Sequence, residues 1–256
     1  MNQCMFSIIV VSLNAEKYIE STIHSVLSQT YDNYEIIIKD GDSMDETVNR
    51  IPKDKRIKTY IEADISVYDA MNQGIAYASG DYIYFLNCGD KLSDENVLEN
   101  IASNISSGFD YDIYYGDVKK EGILIRRPLE VTKKALSRAT ICHQALFYKS
   151  TVFEECGGFD LNYRLCADYE HLVRCFFLGK TFCFVPIIIC DYEGGGLSDS
   201  NLNVSQIKIE NNRIKNIYFS NLDILKYEIW RFLRYFYPEV YTRKIHKIVK
   251  RLNVFK

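Results

Sequence analysis

Apolar residues in the first 90 positions alternate between short β-branched runs and segments with helical spacing. Residues 6–13 form a run rich in β-branched residues, which is typical of a strand buried on both faces of a parallel sheet. Between residues 15 and 29 apolar positions recur every three or four residues, which predicts an amphipathic helix. The same criteria predict three more strands and two more helices, namely strands at 35–40, 57–62 and 82–86 and helices at 47–51 and 67–79.

This order predicts an α/β fold with a mostly parallel central sheet flanked by helices. Ligands of such sheets bind at the carboxyl ends of the strands, and here Asn14, Asp40 and Asn87 to Asp90 follow three of them. Residues 91–200 have a less regular pattern. It predicts helices at 95–103 and 169–178, strands at 111–117, 145–148 and 182–189, and a loop around a glycine run at 194–196. The chain beyond that loop is predicted to be helical to its end.

Composition and charge exclude several classes of protein. The chain has 256 residues, of which 47% are apolar, so it is long enough for one large folded domain and a small appendage. Its net charge is −3, yet residues 224–256 hold nine Lys and Arg against two Glu. The remainder is therefore acidic, and we expect no nucleic-acid partner. Eight cysteines without a CxxC pair, no signal peptide and no bilayer-spanning run predict a cytoplasmic protein with reduced thiols and no structural zinc.

Two acidic turns follow predicted strands and are candidates for binding a nucleotide or a metal. The first contains Asp40, Asp42 and Asp45, which are equally consistent with a solvated turn followed by a helix cap. The second runs from Asn87 to Asp90 and, taken alone, favours a structural turn. It gains weight from the preceding segment 69–72 and the turn at Gly80 and Asp81, which together predict a helix, a turn, a buried strand and an acidic tip.

A series of motifs, taken in order, resembles the inverting glycosyltransferases of family 2, which have the GT-A fold. The branch typified by bacterial colanic-acid and O-antigen transferases is the most similar. The resemblance extends to about residue 200 and depends on the order of the motifs. The motifs are SIIVVSLN at 7–14, EIIIKDGDSMDET at 35–47, YDAMNQG at 68–74, FLNCGD at 85–90, CHQALFY at 142–148, CGGFD at 156–160, CADYEHLVR at 166–174 and GGGLS at 194–198.

The resemblance implies roles for donor-side residues. Ser12, Asn14 and Asp40 match positions that hold the base and ribose of a nucleotide sugar, and Tyr68 and Asp69 are expected to line the same pocket, although Asp69 is equally suited to cap a helix. Asn87 is assigned to the donor site, and Asp90 matches the carboxylate that coordinates Mn²⁺ or Mg²⁺ on the diphosphate. Here the sequence departs from the family, because Asn-Cys-Gly-Asp replaces the common Asp-x-Asp-Asp and one carboxylate is missing.

On the acceptor side, Asp168 matches the family's catalytic base. A single displacement at the anomeric carbon requires one base to deprotonate the acceptor hydroxyl, and it needs no carboxylate nucleophile. His143 and Gln144 are expected to contact the acceptor or the diphosphate. The alternatives are a first-turn helix acid for Asp168 and a structural histidine for His143.

The implied organisation is a glycosyltransferase domain at 1–205, with a donor half at about 1–90 and an acceptor half at about 91–205, followed by a basic, aromatic helical tail at 206–256. Residues 224–256 suit a helix pair on an anionic membrane surface, or a cap on the body or on a second copy in a homodimer.

The implied function is transfer of a sugar, expected to be a UDP-linked hexose, to a saccharide or lipid-linked acceptor. The setting would be synthesis of cell-surface polysaccharide such as O-antigen, capsule or exopolysaccharide at the cytoplasmic side of the plasma membrane. Two alternative functions predict different sequence features. A sugar nucleotidyltransferase should carry a Gly-rich basic loop after the first strand, which residues 12–16 lack. A non-catalytic carbohydrate-binding relative should lack Asp90 or Asp168, and both are present.

Overall fold

The computed structural model describes residues 4–192 and 203–223, together with residues 225, 226, 229 and 232. The strands in this part of the chain are β1 (Phe6–Ser12), β2 (Tyr34–Asp40), β3 (Ile57–Ile61), β4 (Tyr82–Asn87), β5 (Lys91–Leu92), β6 (Ile113–Lys120), β7 (Ile123–Ile125), β8 (Leu146–Lys149) and β9 (Phe182–Tyr192). The helices are α1 (Ile19–Leu27), α2 (Val67–Ile75), α3 (Val97–Ile105), α4 (Lys133–Leu136), α5 (Thr151–Cys156), α6 (Ala167–Phe177) and α7 (Val204–Tyr218).

The described strands join in one mixed sheet with the order β3-β2-β1-β4-β8-β6-β9-β5, and β7 pairs with β6. The first four strands are parallel, and each agrees with its predicted limits to within one residue. Beyond β4 the sheet becomes mixed, because β8 runs antiparallel to both β4 and β6, whereas β6 and β9 are parallel. The predicted α/β fold with a mostly parallel central sheet flanked by helices is confirmed, and the antiparallel pairings lie beyond β4.

The helices of the donor half are shorter than predicted because neighbouring side chains bind their ends. Residues before α1 are held by the turn after β2, since the Ala15 N–H donates to Thr47 Oγ1 at 2.7 Å. After α2, the Ser79 N–H donates to Glu35 Oε1 at 2.7 Å and the Gly80 N–H donates to Ser7 Oγ at 2.8 Å. The helix predicted at 47–51 is a 3-10 turn at Val48–Arg50.

The acceptor half contains short elements that the pattern does not predict, namely β5, β7, α4, α5 and a 3-10 turn at His143–Ala145. Each is too short for a hydrophobic period to be read, and β5 and β7 exist because they pair with β9 and β6. The longer elements α3, β6, β8, α6 and β9 lie where the sequence predicts them, with limits that differ by at most three residues.

The core extends through both halves of the sheet. On one side α2 packs closely on β1, since a Cβ at Gly74 would lie 2.6 Å from Ile9 Cγ2. In the acceptor half His171 of α6 is fully buried. Its ring stacks on the ring of Phe153, with 5.1 Å between the ring centroids. Burial lowers the pKa of His171 to about 3, so the ring is neutral and structural. All eight cysteines are free thiols, as expected.

Helix α7 packs on the body instead of standing apart from it. The buried Glu210 carboxylate accepts hydrogen bonds from the backbone N–H groups of residues 164–166, and Tyr218 donates to Glu170 Oε1 at 2.6 Å. The described residues do not include the glycine run at 194–196. They also do not include most of residues 224–256, the segment for which a membrane-binding or packing role is predicted. No helix of the described part is long and apolar enough to cross a bilayer.

Candidate active site

A cleft of about 790 Å³ opens at the carboxyl ends of β1 and β4, within the range of small-molecule sites. Seven of the ten predicted site residues line it, namely Ser12, Tyr68, Asn87, Asp90, His143, Gln144 and Asp168. They come from both halves of the sheet and from helices α2 and α6. The predicted donor-side and acceptor-side residues therefore share one cleft.

Asp168 lies in the first turn of α6, where three donors surround its carboxylate. The Tyr169 N–H and the Tyr68 hydroxyl donate to Oδ1 at 2.8 and 3.1 Å, and His143 Nδ1 lies 3.5 Å from Oδ2. Burial favours the neutral acid, but the His143 ring and the other two donors outweigh it and hold the pKa of Asp168 below its usual range. Asp168 is thus ionised and, with its side chain 14% exposed, accessible from the cleft.

His143 lies between Asp168 and the end of β4. Its Nε2 is 3.1 Å from Asn87 Nδ2. An amide nitrogen can only donate, so in this arrangement Nε2 accepts and the ring proton is on Nδ1, which faces Asp168. At 3.5 Å the histidine and the carboxylate are in electrostatic contact, and a small shift of either side chain would complete a hydrogen bond. Asn87 therefore orients His143, which in turn stabilises the ionised carboxylate of Asp168.

The other end of the cleft is formed by the turn after β4. Asp90 is 6% exposed, its N–H donates to the Asn87 carbonyl at 3.0 Å, and Gln144 Nε2 donates to its Oδ2 at 3.1 Å. Gly89 closes this turn with a φ of 109°, which few other residues adopt.

The oxygen atoms at this end fit a hard divalent cation. Asn87 Oδ1 is buried and has no hydrogen-bond partner among the described residues, and the Asp90 carboxylate lies three residues further on. Mg²⁺ and Mn²⁺ prefer such oxygen ligands. No group of three or more His, Cys, Asp or Glu side chains in the described part of the chain could hold a metal. A cation here would take its remaining ligands from a bound diphosphate and water.

Asp40 is fully buried at the end of β2, behind the cleft lining. It accepts hydrogen bonds from Ser12 Oγ at 2.7 Å, from the Ser43 N–H at 2.7 Å and from Ser43 Oγ at 2.8 Å. Ser12 itself lines the cleft. The pair is thus brought together as predicted, but Ser12 is the member that faces the cleft.

Asn14 and Asp69 do not line the cleft in this structure. Asn14 has a φ of 49° and its Oδ1 accepts from the Met44 N–H at 3.0 Å, so it fastens the turn after β2 to the end of β1. The Asp69 carboxylate accepts from the Ile65 N–H at 3.0 Å and from Gln73 Nε2 at 3.2 Å, so it binds locally in the first turn of α2, while the helix cap itself is Ser66. Asp45 also binds locally, as it accepts from the Thr47 and Glu16 N–H groups.

Several cleft residues were missed by the sequence reasoning. Ile207 and Asn211 belong to α7, which the sequence assigned to the tail, and Arg164 and Thr140 lie in loops. Arg164 lies two residues before the CADYEHLVR motif and adds a positive charge to the cleft. Its basic side chain beside that motif is the sequence signal that could have identified it. The α7 residues had no such signal, because that helix is held at the cleft by contacts with residues distant in the sequence, such as those of Glu210 with the N–H groups of residues 164–166.

A comparison with models of protein families identifies the class to which this chain belongs. The model of the family described as Glycosyl transferase family 2 matches residues 7–157, which is more than half of the chain. The chain therefore belongs to glycosyl transferase family 2, and it is a glycosyltransferase that uses a nucleotide-sugar donor.

Individual relatives agree with this assignment. The PGL/p-HBAD biosynthesis glycosyltransferase of Mycobacterium bovis is 32% identical over 212 residues, which cover 80% of this chain and 83% of the relative. Among solved structures, TarS of S. aureus in complex with UDP-GlcNAc has a TM-score of 0.68 at 14% identity, covering 87% of this chain and 71% of TarS. The mannosyltransferase PcManGT from Pyrobaculum calidifontis, with GDP-Man and Mn²⁺, also has a TM-score of 0.68, at 16% identity, covering 86% and 66%. The predicted GT-A fold is confirmed.

Proposed function

We propose that this protein is a metal-dependent inverting hexosyltransferase in which Asp168 is the catalytic base. The observation that carries the proposal is the pair of consecutive residues His143 and Gln144. The first contacts Asp168 and the second donates to Asp90, so one short turn connects the base to the carboxylate suited to a metal. Deprotonation of the acceptor and departure of the diphosphate would then take place in one prearranged cleft.

The chemistry assigned to Asp168 follows from its surroundings. An ionised carboxylate can accept the proton of an acceptor hydroxyl as the oxygen attacks the anomeric carbon. The carboxylates that line the cleft among the described residues are Asp168 and Asp90, and Asp90 is bound to Gln144 at the opposite end. A single displacement with inversion needs only the first of them, whereas a double displacement would need a second carboxylate as nucleophile.

At the other end, Asp90 and Asn87 would hold Mn²⁺ or Mg²⁺. When bound, the cation would neutralise charge on the departing nucleoside diphosphate. Arg164 lines the same cleft and supplies a further positive charge for the phosphates. Ser12, held by Asp40, is placed to contact the base or ribose of the donor, and Tyr68 fixes the orientation of Asp168.

The proposed donor is a UDP-hexose, which TarS supports because its structure was solved with UDP-GlcNAc. The proposed acceptor is a saccharide or lipid-linked molecule of the cell envelope, since the mycobacterial relative is described as acting in PGL/p-HBAD biosynthesis. Peripheral contact of residues 224–256 with the cytoplasmic face of the membrane would agree with their nine basic residues. Replacing Arg243, Lys244, Lys247, Lys250 and Arg251 by Gln should then reduce sedimentation with anionic vesicles, and unchanged sedimentation would reject this contact.

Thermal unfolding tests the donor and metal together. The full chain would be unfolded with UDP, GDP, CMP and their common sugar conjugates, each with Mn²⁺, Mg²⁺ or a chelator. A ligand at a hundred times its dissociation constant adds about 2.7 kcal/mol to the free energy of unfolding, which shifts the midpoint visibly. We expect stabilisation by UDP and UDP-sugars that the chelator removes. Stabilisation by no nucleotide would overturn the proposal, and equal stabilisation with chelator would overturn its metal part.

A further inference from the structure

One edge of the central sheet is an open strand in the donor half. β3 ends the sheet on that side, and within the described part of the chain it pairs with β2 alone. The strand at the other end of the sheet, β5, has two residues, whereas β3 has five. An open edge of this length offers main-chain groups with which a further strand can pair.

The outer side of β3 carries hydrogen-bonding groups to which no described residue is bound. On the inner side, the Arg56 carbonyl and the Glu62 N–H bond to β2 at 2.9 and 3.0 Å. The main-chain groups of a strand in a parallel ladder point to its two sides in alternation, so those of Ile57, Thr59 and Ile61 point outward. The Ile57 N–H turns back to the preceding loop, at 3.1 Å. The other outward N–H and C=O groups are therefore open to a strand from outside the described chain.

The side chains of the same three residues line a groove of about 650 Å³ beside the edge. Its apolar lining residues are Val48, Ile51, Pro52, Ile57 and Ile61. Ile61 is 51% exposed. β-branched side chains such as those of Ile57, Thr59 and Ile61 favour strand pairing, and an exposed isoleucine on an open edge favours association.

The lysine of β3 does not guard this edge. Edge strands that stay unpaired commonly carry Lys or Pro residues that obstruct pairing. Here Lys58 Nζ lies 2.8 Å from Glu35 Oε2, so its side chain is held over the inner sheet, on the face opposite the groove. On that face Tyr60 stacks on Tyr77, with 3.6 Å between the ring centroids. Both side chains are thus directed away from the outer edge.

We propose that β3 pairs with β3 of a second copy of this chain, antiparallel and about a two-fold axis at Thr59. This register is the one that pairs all five residues of the strand with strand residues. Thr59 then lies opposite Thr59, and Ile57 lies opposite Ile61, in hydrogen-bonded pairs that use the open N–H and C=O groups. Their side chains all lie on the groove side, so the two grooves join in one apolar row.

Charges at the ends of the strand agree with this register. Arg56 lies opposite Glu62 of the second copy, and the two-fold axis repeats this pair. Arg56 contacts Asp54 at 2.9 Å, but a guanidinium has five donors and can serve both carboxylates. Glu62 is exposed and accessible to it. A register centred on Ile57 would instead place Lys58 opposite Arg56, which brings two like charges together.

Sedimentation equilibrium of the full chain tests for the dimer. A pair of short strands buries less surface than the interface of a permanent dimer, so the association should be weak. We expect the mass to rise from that of one chain to that of two between about 1 and 100 μM. The mass of one chain throughout this range would overturn the inference.

Charge substitutions at the axis distinguish this pairing from a dimer formed elsewhere. Thr59 is exposed, so Thr59→Lys and Thr59→Glu should both fold. Each places two like charges opposite each other and should weaken the dimer by at least about tenfold, whereas an equimolar mixture should dimerise because Lys meets Glu. Ser107→Lys and Ser107→Glu, at an exposed position of the acceptor half, are the controls and should behave as the unaltered chain does. Dimers that persist in both Thr59 variants, or a mixture that stays monomeric, would overturn the inference.

Amide hydrogen exchange locates the interface. The N–H groups of Thr59 and Ile61 should exchange more slowly as the protein concentration rises, because the second copy binds them. Those of Lys58 and Tyr60 point to β2 and serve as internal controls, whose exchange should not depend on concentration. Exchange at Thr59 and Ile61 that is independent of concentration would overturn the inference. The result does not depend on the proposed function, which nucleotide binding tests separately.

Discussion

The donor half and the acceptor half place their functional residues in different ways. In the donor half, Ser12 and Asn87 end parallel strands, so their place at the sheet edge follows from their place in the sequence. In the acceptor half, Asp168 is positioned by residues distant in the chain, since Tyr68 lies 100 residues before it and Glu210 of α7 holds the loop that leads to it. The residues proposed to bind the nucleotide thus belong to local βα units, whereas the position of the proposed base depends on tertiary contacts.

The largest effect that this comparison predicts is that of Asp168→Asn. The amide cannot accept the acceptor's proton, so kcat should fall by about 10² to 10⁴. Nucleotide affinity should change little, because the Asp168 carboxylate contacts Tyr68, His143 and the Tyr169 N–H and reaches the end of β4 only through His143. Steady-state kinetics measure kcat, and calorimetric titration with UDP measures nucleotide affinity. A variant that retains full activity would remove Asp168 from its role as base.

For Asp90→Asn in the donor half we expect the reverse, namely a larger effect on nucleotide binding than on the chemical step. Loss of the carboxylate should weaken metal-dependent nucleotide binding by at least about tenfold, since even indirect partners of a metal contribute that much. Asp42→Asn is a matched control, because Asp42 is an exposed carboxylate at the same sheet edge and asparagine tolerates its φ of 67°. Titration with UDP at varied Mn²⁺ measures the effect. Equal affinity in Asp90→Asn and the control would contradict the metal assignment.

At the junction of the two halves, substitution of His143 should change the pH dependence of the reaction. His143 helps to lower the pKa of Asp168, and the base acts only when ionised, so its removal should raise that pKa. The acid limb of the profile of kcat/KM should therefore move to higher pH in His143→Gln. His143→Asn can keep a donor near the position of Nδ1 and should shift the limb less. An unmoved acid limb in both variants would separate His143 from the base.

A smaller effect is expected from Glu210→Gln in α7. The amide can accept at one atom only, so buried N–H groups of residues 164–166 lose their partner, at a cost of about 1–3 kcal/mol in the free energy of unfolding. Because this loop leads to Asp168, kcat should also fall while nucleotide affinity is kept. Denaturant unfolding and kinetics of this variant beside the exposed Glu154→Gln measure both effects. A loss of nucleotide affinity without a change in kcat would contradict the positioning role.

The same contrast explains how much could be predicted from sequence. The strands that end at Ser12, Asp40 and Asn87 have continuous apolar runs, so their limits were predicted closely. Asp168 and His143 were found through motifs of the family and not through periodicity. Sequence alone could not show that Asp40 faces Ser12 and Ser43 instead of the cleft, because this depends on hydrogen bonds between separate turns. Nor could it show that Ile207 and Asn211 line the cleft, since Glu210 makes its contacts about 45 residues away in the chain.

The anomeric configuration of the first product tests the central claim most directly. Slow hydrolysis of the α-linked UDP-sugar that stabilises the protein can be followed by proton NMR before the released sugar mutarotates. One displacement assisted by Asp168 predicts that the β-anomer is released first. Initial release of the α-anomer would require two displacements and would contradict the account.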